Sequence, residues 1–64
     1  MAWLVVDGDS TELIFEVKPK RSKEGKIWQL PSRYSNYSVI ILTKGTIEKI
    51  IGKKMTWENE PIKI

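Results

Sequence analysis

Five cations fall within nine residues, Lys18, Lys20, Arg21, Lys23 and Lys26, and a further cation, Arg33, follows among the rings of Trp28, Tyr34 and Tyr37. Such a grouping can do one kind of chemistry well. Ammonium and guanidinium groups neutralise phosphates and release counterions, while exposed rings beside them stack bases at ~1–3 kcal/mol each. The same residues have a plainer use, as a solvated loop that keeps a small β protein soluble and shields a sheet edge. Five cations against Glu24 leave +4 in residues 18–26, so with a total of +3 the rest of the chain carries −1. That segment therefore sets the electrostatic character. Lys44, Lys49, Lys53 and Lys54 form a second basic set, of which Lys53 joins the candidate partner-binding residues.

Catalysis is not expected. The chain has no histidine and no cysteine, which removes the usual general base at neutral pH, the thiolate nucleophile and the soft metal ligands. Ser10, Ser22, Ser32, Ser35 and Ser38 lie in polar stretches where backbone hydrogen bonding is their ordinary task. Gly45 to Lys53 superficially suggests a phosphate loop. Six residues separate its glycines, and Lys54 stands where the magnesium-binding hydroxyl belongs, so the pattern fails. Asp7-Gly8-Asp9 suggests a calcium loop, but its twelfth position is Lys18 where a bidentate Glu is needed. Glu58 and Glu60 read as a solvated acidic turn. No catalytic residue, cofactor or metal is assigned.

The elements that must position these residues are short. Ala2 to Val6 is a short apolar run, and Asp7-Gly8 between two β-rich runs is a strong hairpin signal. Thr11 to Val17 alternates, with Leu13, Phe15 and Val17 facing one way and Glu12, Ile14 and Glu16 the other. Lys18 to Lys26, holding Pro19 and Gly25, is a mobile loop or a twisted hairpin tip, after which Ile27 to Leu30 resumes a strand that Pro31 stops. Ser32 to Ser38 is a turn that leaves Tyr34 and Tyr37 at the surface, whereas Trp3 and Trp28 are expected in the core.

The sequence places the centre of the fold in residues 38–52. Val39-Ile40-Ile41-Leu42 is a continuous apolar run of the kind that suits a strand covered on both faces. Ile47, Ile50 and Ile51 then share one face of a helical turn, with Lys49 pointing away. Thr46 is its expected N-cap and Gly52 its left-handed stop. Met55 and Trp57 offer further apolar contacts, and Pro61 opens a last strand, Ile62 to Ile64, that belongs at an edge.

Sixty-four residues make one domain, 1–64, near the lower limit of what folds without disulfides or metals. The fold class expected is mainly β with one short helix (α+β), as a small five-stranded barrel or a strongly bent antiparallel sheet. Its layout, a late helical turn before a final strand, is similar to that of Src-homology and Tudor-type barrels, though neither the acidic-aromatic groove of the first nor the aromatic cage of the second is present. No apolar run reaches the ~18 residues of a membrane span, and the start lacks a charged-then-apolar signal pattern. A cytoplasmic chain with no membrane partner is therefore expected. The functional expectation is a non-enzymatic binding module for a protein partner, acting as an interaction or inhibitor protein. A second copy of the chain is one such partner, through Ile62 to Ile64 or the first hairpin. The alternative is a nucleic-acid-backbone binder using residues 18–26.

Overall fold

The computed structural model describes residues 2–64. Six strands and one short helix follow in the order β1 (Trp3–Val6), β2 (Glu12–Phe15), β3 (Lys20–Ser22), β4 (Ile27–Gln29), β5 (Val39–Leu42), α1 (Thr46–Ile51) and β6 (Ile62–Lys63), with a single 3-10 turn over Ser32–Tyr34. The class is the expected one, mainly β with one helix. The strands divide into two antiparallel sheets, one ordered β5-β2-β1-β6 and the other β3-β4, and do not close into a barrel among the described residues.

β1 and β2 form the predicted hairpin, with Val5 opposite Leu13 and Trp3 opposite Phe15. The turn departs from the simplest Asp-Gly form. Ser10 takes the left-handed conformation, at φ 73°, and its N–H donates to the Asp7 carbonyl. Gly8 is required for room instead: its N–H donates to the Lys26 carbonyl at 2.8 Å, and a Cβ on it would stand 2.5 Å from the Lys26 Cβ. The hairpin tip thereby touches the residue that leads into β4, and the two sheets meet there.

Strand alternation divides the larger sheet into two covered faces. On one, Val5, Leu13 and Phe15 pack with Trp28 of β4, flanked by Trp3, Leu30 and Trp57. On the other, Leu4 and Val6 pack under Ile47 of α1, flanked by Ile14, Leu42, Ile51 and Met55. β1 has neighbours on both sides and cover on both faces, so Leu4, Val5 and Val6 are all buried. Complete burial of each such side chain is worth about 1.5–3 kcal/mol.

The centre of the fold is β1, not residues 38–52. β5 is an outer strand with a single neighbour, and Val39, Ile40 and Ile41 are 39%, 57% and 71% exposed. The helix packs over β1 rather than over β5. Of its isoleucine stripe only Ile47 is fully buried; Ile51 is half-buried and Ile50 is 49% exposed. A six-residue helix presents too little surface to cover a four-stranded sheet.

Thr46 is also not the N-cap. Its hydroxyl donates to the Thr43 carbonyl, Gly45 holds the cap position at φ 93°, and the free helix amides are taken by Glu12 on β2. Glu12 Oε2 accepts from Gly45 N–H at 2.7 Å and Oε1 from Ile47 N–H at 2.8 Å. One carboxylate so fixes α1 to the sheet. Gly52 ends the helix as expected, at φ 80°, its N–H donating to the Glu48 carbonyl.

β6 pairs antiparallel with β1 at the opposite edge, directly after Pro61. Ala2 and Ile64 exchange both backbone hydrogen bonds, at 3.2 and 2.9 Å. No helix of the described residues is long and apolar enough to cross a membrane.

Candidate interaction surface

β5 presents an open ladder. In an antiparallel pair, residues alternate between turning their backbone groups toward the partner strand and away from it. Glu16 N–H donates to the Ser38 carbonyl at 3.1 Å, and the register continues Phe15 opposite Val39 and Ile14 opposite Ile40. Ser38, Ile40 and Leu42 therefore face β2, while Val39 and Ile41 direct N–H and C=O outward. The strand carries no charge, no proline and no bulge from Val39 to Leu42, so it lacks the devices that ordinarily blunt an edge. The edge formed by β6 differs: two residues long, preceded by Pro61 and bearing Lys63.

An apolar groove continues this edge onto the helix face. Beyond the reach of α1, a depression of about 250 Å³ is lined by Ala2, Ile14, Phe15, Glu16, Ser38 and Ile40. Ser38 is held at its rim by Glu16, whose Oε1 accepts from Ser38 N–H at 3.0 Å. Edge and groove share Ile40, and together they make one apolar surface.

The candidate cations do not converge on a single site. Arg21, on β3, is drawn inward. Its guanidinium lies 4.6 Å from the Trp28 ring and 4.8 Å from the Trp57 ring, donates to the Asn59 carbonyl at 3.1 Å, and meets Glu60 at 3.5 Å. The two indoles touch edge to face at 5.6 Å. This stack joins the β3–β4 hairpin to the C-terminal segment. Lys20 is exposed on β3, and Lys23 and Lys26 sit in the turn between β3 and β4, where Gly25 and Lys26 both take positive φ. Of residues 18–26, expected as a mobile loop or a twisted hairpin tip, only 23–26 form the tip; Lys20–Ser22 is itself a strand, paired with β4. Lys18 and Lys63 approach the Trp3 ring at 5.5 and 5.8 Å. Arg33 lies 5.9 Å from the Tyr34 ring, which meets Tyr37 edge to face at 5.2 Å. Lys53 follows α1 and is exposed. Sequence reasoning missed Val39, Ile40 and Ile41 as surface residues; an apolar run carries no mark of how many neighbours its strand has.

The two aspartates of the first turn titrate in opposite directions. Burial pushes the Asp7 carboxyl up, with the Asp9 charge adding to it, against the Trp28 N–H that Asp7 Oδ1 accepts at 2.9 Å. Asp9 is held below the usual carboxylate value by hydrogen bonds from the Thr11 side chain and backbone. Because folded Asp7 keeps its proton to higher pH than the unfolded chain does, its ionisation weakens folding. Its share of stability is thus present below the usual value near 3.8 and is lost as pH rises through the raised one. Asp9 works the other way, losing its share as pH falls through its lowered value. Asp7→Asn keeps the acceptor for Trp28 and removes the titration. Its stability relative to the parent chain is expected to rise as pH rises from about 3 through the raised Asp7 value, and then to level. Urea unfolding across that range measures it, and a flat difference refutes it.

Fold and surface define a small β-rich domain with one guarded and one bare sheet edge. No family model, curated protein or solved structure matches the chain.

Proposed function

We propose that this chain is a non-enzymatic protein-interaction module that takes its partner as an added strand along β5. The observation that carries the reading is the bare apolar edge, with Ile41 71% exposed beside the outward backbone of Val39 and Ile41. Main-chain hydrogen bonds supply affinity in such docking and alternate side chains supply selectivity. Here Ile40 and the groove would receive one face of the incoming strand and Ile41 the other. The surface cations Lys18, Lys20, Lys23, Lys26 and Lys53 lie outside the strand Val39–Leu42, and they serve solubility and encounter rate.

A capture experiment from the source lysate tests this, with the parent chain and Ile41→Lys as baits, each with and without nuclease. Proteins retained by the parent chain are expected to be lost from Ile41→Lys and indifferent to nuclease. Retention that ignores the substitution, or that nuclease abolishes, overturns the reading; the second result points to nucleic acid.

A further inference from the structure

We infer that the strand added to β5 is β5 of a second copy, running antiparallel across a two-fold axis that passes by Ile40 at right angles to the sheet. This rests on the docking edge described above and names its occupant. Such an axis maps each sheet face onto itself, so it pairs only residues whose side chains share a face. With Ile40 opposite Ile40, Val39 of each chain stands opposite Ile41 of the other. Those are the residues whose N–H and C=O point outward, and in this register each pair exchanges both hydrogen bonds. The outward groups of Val39 and Ile41 are then satisfied without any backbone movement.

The side chains fit the same register. On the helix face the two Ile40 side chains adjoin, each beside its own Ile14, and the two grooves become one apolar trough. On the other face Ile41 lies against Val39. Each chain carries +3, yet the meeting strip is uncharged from Val39 to Leu42, so two copies come together without opposing like charges or stranding an unpaired one. A charged foreign strand would place its charges against isoleucine, which costs desolvation with nothing in return. In the four-stranded sheet the guarded edge at β6 leaves β5 as the docking edge, and the two-fold uses that edge in both copies, so addition along this sheet stops at two. Pairing of four-residue strands lies at the small end of interface sizes, which makes the dimer weak and dependent on concentration.

Sedimentation equilibrium from micromolar to millimolar concentration tests the proposal on the parent chain, Ile41→Lys and a control, Ile50→Lys, which alters an exposed isoleucine on α1. The parent and Ile50→Lys are expected to move from one-chain to two-chain mass, while Ile41→Lys stays at one-chain mass with an unchanged circular-dichroism spectrum. Isotope-filtered NOEs in mixed labelled samples are expected between Val39 of one chain and Ile41 of the other. A parent chain that keeps one-chain mass throughout, or a dimer that survives Ile41→Lys, overturns the inference. If the one-chain result accompanies lysate capture that still depends on Ile41, the docking edge stands and its occupant is foreign. If capture ignores Ile41 as well, both fall.

Discussion

Trp28→Ala is expected to lower the melting temperature by about 12–40 °C. Trp28 is the largest buried side chain contributed by the β3–β4 hairpin, and it packs on Val5, Leu13 and Phe15. Its indole Nε1 donates to the Val6 carbonyl at 3.0 Å, and its own N–H goes to Asp7. Truncating a buried Trp to Ala costs about 3–5 kcal/mol. Total stability at ordinary per-residue values is about 3–10 kcal/mol for a chain this short, so the loss takes from about a third to all of what exists. Trp28→Phe separates the two contributions. It keeps most of the apolar contact and strands the Val6 carbonyl, for a loss of about 1–2 kcal/mol. Thermal unfolding followed by circular dichroism reads both. A Trp28→Ala chain that melts within a few degrees of the parent would show that the smaller sheet contributes little to the core.

The second large effect belongs to Glu12. Glu12→Ala removes the only side-chain acceptor of Gly45 N–H and Ile47 N–H among the described residues, leaving both amides half-covered at the start of α1. Loss of a cap together with charge-assisted hydrogen bonds is worth about 2–3 kcal/mol. Glu12→Gln retains one acceptor oxygen and is expected to lose about half as much. Urea titration gives the energies, and the Ile47 amide resonance reports whether the helix start has come free. A Glu12→Ala variant within about 0.5 kcal/mol of the parent would show that water replaces the carboxylate at no cost.

These two residues also mark where the sequence could be read and where it could not. The Asp-Gly turn, the alternation through Leu13 and Phe15, the left-handed Gly52 and the edge strand after Pro61 are local signals, decided within a few residues of chain, and each appears where expected. Glu12 acts on amides 33 and 35 positions away, and no spacing announces that. Arg21 reads as one cation in a basic loop until Trp57 and Asn59 arrive from the far end of the chain to enclose it. The run Val39 to Leu42 failed for a different reason. Apolar side chains announce that a strand is to be covered, and the covering chain is not written in the pattern. An edge awaiting a second copy has the same residues as a strand in the middle of one.

The rung between Ala2 and Ile64 has a practical side. Ala2 and Ile64 lie at the paired ends of β1 and β6, with β2 between β1 and β5. A tether attached after Ile64 holds the domain by its β6 side, opposite β5. Copies immobilised there keep the β5 edge within reach of whatever is supplied in solution.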